Sequence, residues 1–209
     1  SFTRTGSSGN HQSDGGNTFN GSVTVDNFGT SGRVRWATVT PDAYNGNATF
    51  NSSGGQDVQI AYSGDNLFAG DITINSNKVV FNTASGKVTF TGGNAQTLNG
   101  SYNYPFKKLA IDKSANHVTA NTTLSVDDTL FFVNGNLITT STYLLTMKHG
   151  STANGASNSS FVSGPVKKVG NSAFQFPVGK GNYFRSVEIT APTNTSDSYT
   201  GEFFNEEQV

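Results

Sequence analysis

The chain contains no cysteine among its 209 residues, which removes disulfides, thiolate chemistry and cysteine-based zinc sites from consideration. Charge is scarce too. Only 13% of residues are charged, 13 basic against 14 acidic, so no broad basic surface for neutralising phosphates exists and nucleic acid is not an expected partner. There is no apolar run of 18 residues, so no helical membrane span is expected. Hydrophobic residues reach only 33%, with one Met, one Trp and five Pro. Gly, Ser, Thr and Asn fill the gap, a composition suited to short strands and turns and poor for long helices. Disordered chains also have little hydrophobicity, but they usually lack aromatics and carry high net charge. Here 16 Phe and 7 Tyr accompany a net charge of -1. The composition is that of a folded, all-β chain.

What is present is a repeat. Thr18-Phe-Asn-Gly-Ser-Val-Thr-Val25, Ala43-Tyr-Asn-Gly-Asn-Ala-Thr-Phe50 and Leu67-Phe-Ala-Gly-Asp-Ile-Thr-Ile74 align residue for residue. Each contains an aromatic, a glycine two positions later, and an apolar-Thr-apolar strand. Gly21, Gly46 and Gly70 are spaced by 25 and 24 residues, and a second strand set recurs between them at Val34–Trp36, Val58–Ile60 and Val79–Phe81. Ala37 and Ala61 follow the first two of these at the same offset. Two short strands per step of about 24 residues is the period of a solenoid coil. Because side chains alternate across a strand, Val23/Val25, Ala48/Phe50 and Ile72/Ile74 would form ladders inside, while Thr24, Thr49 and Thr73 form one outside. Phe19, Tyr44 and Phe68 would stack on one another. The expected fold is a right-handed parallel β-helix with coils of about 24 residues. A β-sandwich is the alternative, since its short alternating strands read similarly.

After Phe90 the register loosens, although short strands continue to Met147. Residues 1–148 are therefore assigned to the β-helix repeats. Residues 149–209 are assigned to a low-complexity linker loop at 149–160 followed by a C-terminal β cap or the beginning of a further domain. Such a cap would cover an open coil end that otherwise invites edge-to-edge pairing.

Several segments resemble one family. Asn17–Val25, Asn94-Ala-Gln-Thr-Leu-Asn-Gly-Ser101, Phe106-Lys-Lys-Leu-Ala-Ile-Asp-Lys113, Ala156–Val166 and above all Phe174-Gln-Phe-Pro-Val-Gly179 with Tyr183-Phe-Arg-Ser-Val187 resemble large secreted repeat proteins of Bacteroidota. Those proteins are similar to surface adhesins exported by the type IX secretion system through a C-terminal sorting domain. The resemblance implies an extracellular, cell-surface, structural or adhesive role. It also implies contact with the secretion machinery through a C-terminal region beyond Val209, and Ser1 and Val209 read as the ends of a piece of a longer protein.

The chemical inventory is thin. His11, His117 and His149 lie far apart in sequence, and no nucleophile elbow, phosphate loop or dinucleotide fingerprint occurs. Gly54-Gly55 and Gly92-Gly93 read as coil corners. Asp127-Asp128 and Glu206-Glu207 are the paired carboxylates, but the repeat positions around a shared face carry Thr, Asn and Gly, not acids. A catalytic site, a cofactor and a metal are accordingly not expected. Tyr102, Tyr104 and Phe106 alternate beside Lys107-Lys108, a pattern suited to stacking on sugars or contacting surface proteins. Asp128-Thr-Leu130 matches a three-residue bacterial O-glycosylation pattern at Thr129. The sequence thus points to a non-enzymatic stalk or adhesive spacer. A glycan-binding module is the first alternative and a polysaccharide-degrading β-helix enzyme the second.

Overall fold

The computed structural model describes residues 1–204, and among these there is no helix. The chain winds as a parallel β-solenoid of about eight turns, with equivalent positions about 22 residues apart. Each turn contributes to three columns of hydrogen-bonded strands. The first column begins with Phe2–Arg4, Val23–Asn27, Ala48–Asn51, Ile72–Ile74 and Gln96–Gly100, all parallel neighbours. The second begins with His11–Gln12, Val34–Arg35, Val58–Gln59 and Val79–Val80. The third begins with Thr18–Phe19, Asp42–Tyr44, Asn66–Phe68 and Lys87–Phe90.

The pairing register is the one the repeat dictates. Val23, Ala48 and Ile72 are partners, as are Val25, Phe50 and Ile74, and all are buried. Thr24, Thr49 and Thr73 pair between them and point outward, from exposed to half-buried. No hairpin joins residues 22–26 to 33–37; Val34–Arg35 instead pairs with equivalent strands in the coils on either side. The sandwich alternative is thereby excluded.

Inside, like stacks on like. The Phe19 and Tyr44 ring centroids are 5.0 Å apart, and the Tyr44 and Phe68 rings are 4.4 Å apart and nearly coplanar in orientation, at 3°. Asparagines form outer ladders of the same kind: Asn45 donates to Asn20 at 2.8 Å, Asn75 to Asn51 at 2.9 Å and Asn121 to Asn99 at 2.9 Å. A buried ladder links Asn17, Asp42 and Asn66, with Asp42 accepting from Asn17 and donating its backbone N–H to the Asn66 side chain. The second column ends its early strands in a repeated corner where Ala37 and Ala61 adopt φ of 55° and 51°, an unusual conformation for residues carrying a Cβ.

Past Phe90 the coils persist but their punctuation disappears. Tyr104–Ala120 and Leu124–Ile138 run as long, bent strands that pass through two corners and serve all three columns in turn, with register shifts after Phe106 and Ile111. The parallel stack also continues beyond the expected boundary at 148. Thr152–Asn154, inside the expected linker loop, pairs with Thr129–Phe131, while Val166–Val169 pairs with Leu145–Met147 and Val178–Lys180 with Val162–Ser163. Residues 149–160 are spaced by Gly, Ser and Asn because they turn a coil corner. Only then does the direction reverse: Val178–Lys180, Val166–Val169 and Phe174–Phe176 each take an antiparallel partner, from Tyr183–Phe184, Ser198–Gly201 and Val187–Ile189 respectively. These three strands form the β cap.

The recurrence of glycine at 46 and 70, one coil above Gly21 and Gly46, has a steric origin. A Cβ on Gly46 would lie 2.5 Å from the carbonyl carbon of Gly21, and one on Gly70 would lie 2.5 Å from that of Gly46, whereas a Cβ on Gly21 meets nothing within 4 Å. G46A and G70A should therefore each lower stability by about 1–3 kcal/mol, the usual range for overpacking. G21A should be neutral or slightly stabilising, because alanine restricts the unfolded chain. Urea unfolding of the three variants checks this, and equal effects at all three positions would refute the glycine column.

Candidate functional site

The three aromatics singled out from the sequence do not form a surface row. Tyr102 is 40% exposed, but Tyr104 and Phe106 are wholly buried. The Tyr104 hydroxyl lies 2.9 and 2.7 Å from the backbone oxygens of Ile72 and Asn99, which share its one proton, and burial pushes its ionisation far above the ordinary phenol value. Phe106 packs on Phe81 at 5.3 Å and on Tyr104 at 5.9 Å. Only Tyr104 and Phe106 share a face, the inward one of a second-column strand that begins at Tyr104; Tyr102 lies in the turn before it, and the shift after Phe106 turns the chain before Lys108. Tyr104 and Phe106 therefore offer no surface on which a sugar could stack.

Thr129 is also placed differently from what a modification site needs. It is 8% exposed, and its hydroxyl donates to Asp128 at 2.9 Å. Its Oγ1 lies 3.4 Å from the Thr152 hydroxyl in the next coil. A sugar on this oxygen would displace both contacts, so the folded coil does not present Thr129 for glycosylation.

The paired acids Asp127 and Asp128 sit together in a bulge. Phe106 pairs with Val126 and Lys108 with Thr129, leaving Asp127 and Asp128 opposite Lys107 alone. Asp127 accepts from Asn82 at 2.8 Å, while Asp128 faces Lys108 at 4.0 Å and Thr129. Glu206-Glu207 lies outside the described residues. His11, His117 and His149 are all exposed, and among the described residues no group of three or more His, Asp or Glu is arranged to hold a metal ion. The described residues include no helix long and apolar enough to cross a membrane.

What sequence reasoning missed is a set of buried cations. Arg4 reaches Asn27 Oδ1 at 3.0 Å and the Gly9 carbonyl at 2.9 Å. Lys113 donates to the Thr91 carbonyl at 2.6 Å and to Gln96 Oε1. Lys168 donates to the carbonyls of Lys148 and Ser151 at 2.8 and 2.6 Å and to the Ser151 hydroxyl at 3.1 Å, with its ammonium 4.8 Å from the Phe174 ring centroid. Each cation is 3% exposed or less. Corners turn carbonyls inward, away from the strand ladders, and an unpaired buried carbonyl is costly. A charged donor on a flexible stem satisfies two or three of them at once. Every acceptor here is a carbonyl, amide or hydroxyl oxygen, so these cations tie coils together; they do not activate a nucleophile. In sequence, Lys113 lies between Asp112 and Ser114 and Lys168 follows Lys167 in a short alternating strand, so neither is marked as buried.

No family model, curated protein or solved structure matches the chain. The functional reading therefore rests on the fold and its residues.

Burial lowers the Lys168 ammonium from an ordinary value of 10.5 to about 8. Between pH 8 and pH 10.5 the unfolded chain holds this proton and the folded chain does not, so stability should rise as pH climbs through that window and level off above it. Urea unfolding across the window should show this slope in the wild type and its loss in K168M. An identical pH profile in the two proteins would contradict it.

Proposed function

We propose that this chain is a non-enzymatic spacer or adhesive stalk segment of a large bacterial surface protein, working outside the cell. The observation that carries the reading is the regularity of the stack. From Val23 to Val178 each coil rests on its neighbour through in-register parallel strands, and the interior is a continuous apolar column. About eight coils at the strand spacing of about 4.8 Å give a rod of roughly 40 Å. Rigid reach in proportion to coil number is what such an architecture supplies by itself. The resemblance to exported repeat proteins of Bacteroidota supports the extracellular setting, with export through type IX machinery and surface proteins or glycans as partners. The scattered ionisable groups among the described residues support the non-enzymatic part of the reading, since the adjacent acids Asp127 and Asp128 are engaged by Asn82, Lys108 and Thr129.

A spacer tolerates the loss of one unit; an active site does not. Removal of residues 46–69, one coil length, should leave a folded protein that still displays its parent on the cell, with its reach shortened by about 5 Å. Small-angle scattering of the purified chain and surface labelling of the parent check the two halves of that expectation. Release of reducing ends from a polysaccharide by the wild-type chain, lost in the folded D127N/D128N variant, would overturn the reading in favour of an enzyme.

A further inference from the structure

Outside the ladders already described, the third column carries an unusual outward row. Leu67, Thr89, Ala110 and Phe131 are successive in-register partners, while their inward neighbours Phe68, Phe90, Ile111 and Phe132 belong to the core. Where the first column's outward row carries Thr24, Thr49, Thr73 and Asn99, this row is apolar at three of its four positions. The row is also uneven. Ala110, the smallest side chain, sits between Thr89 and the large Phe131, and a depression of about 200 Å³ opens there. Its lining consists of Lys87, Thr89, Ala110, Asp112, Phe131 and Val133.

Two features of this depression suit a ligand better than plain solvent. Thr89 is 6% exposed, and its hydroxyl has no hydrogen-bond partner in the fold. Buried hydroxyls are normally paired, so this one is a floor group whose partner is not supplied by the chain. Val133, 59% exposed, continues the Phe131 side as apolar surface directly beside the exposed carboxylate of Asp112. The Lys87 ammonium stands on the opposite side, 3.0 Å from Asp65.

We infer that this depression binds one neutral pyranose unit of an oligosaccharide, with the Phe131 ring against a C–H face of the sugar and Asp112, Lys87 and Thr89 serving its hydroxyls. The lining selects this occupant. A phosphorylated or carboxylated ligand would meet the Asp112 charge, and Lys87 is already engaged by Asp65. A metal ion would find one carboxylate. An acyl chain or apolar helix would leave the Asp112 carboxylate and the Thr89 hydroxyl facing apolar surface without partners. A sugar alone presents both an apolar face to stack on an aromatic ring and a rim of hydroxyls able to donate to a carboxylate and accept from an ammonium. The depression is open and small, so affinity for a single unit is weak, near the millimolar range.

The test is saturation-transfer NMR on the whole chain with tetrasaccharides of glucose, mannose, galactose and N-acetylglucosamine, each at up to about 10 mM. At least one should bind, and F131A should weaken that binding about tenfold. T89V provides the control against a purely structural effect: removing an unpartnered hydroxyl should leave thermal stability unchanged or raised, while binding falls. Y102A, on a different part of the surface, should bind as the wild type does. Absence of binding by all four sugars overturns the proposal. So does binding that survives both F131A and T89V in folded protein, or that is lost with Y102A.

Discussion

Parallel, in-register pairing between coils is the interaction on which everything else in this molecule depends. Once a strand of one coil hydrogen-bonds to its equivalent in the next, each side chain acquires a neighbour about 4.8 Å away that came from the same repeat position. Sequence similarity between coils then becomes spatial contact between like residues. Apolar positions merge into a single core from Val23 to Val178, Tyr44 lies parallel to Phe68, and asparagine side chains bond along the rod. The same constraint forbids side chains where coils approach most closely, which is why positions 46 and 70 are glycine. A chain with few hydrophobic residues can fold this way because about half of every strand faces a narrow interior and backbone hydrogen bonding is satisfied coil to coil.

The stack leaves two local problems, and the molecule handles both. Corners direct carbonyls inward, and Arg4, Lys113 and Lys168 meet them with buried charged donors in three separate coils. The last parallel strands would present open edges, and the antiparallel strands Tyr183–Phe184 and Ser198–Gly201 cover those of Val178–Lys180 and Val166–Val169, while Val187–Ile189 pairs with Phe174–Phe176 in a separate two-stranded sheet. Both devices serve the integrity of a rod.

Residues 17–82 announced their fold because the repeat there is nearly literal: a glycine fixed by steric contact and an apolar-Thr-apolar strand fixed by burial recur at the coil period. The later coils were harder to read because Tyr104–Ala120 and Leu124–Ile138 bend through corners as continuous strands, with Gly135 the one glycine inside them, and shift register as they go. The same bend explains the error over Tyr104 and Phe106. Alternation shows which residues share a face, but whether that face lies inside is set by the neighbouring coils, here by Phe81 and Ile72. The depression between Thr89 and Phe131 had no sequence signal at all, since it is made by Ala110 lying between residues some twenty positions away in either direction.

The central claim is that residues distant in sequence are arranged one strand spacing apart along a single column. Thr24, Thr49, Thr73, Asn99 and Asn121 mark four successive steps of that column on its outer side. The measurement that tests this most directly is the dipolar distance between spin labels at T24C and N121C, introduced into a chain that has no other thiol. Parallel stacking gives a backbone separation of roughly 19 Å and a narrow distribution. A distribution centred far from four strand spacings, or one broad enough to span several registers, would contradict the stacked-coil account.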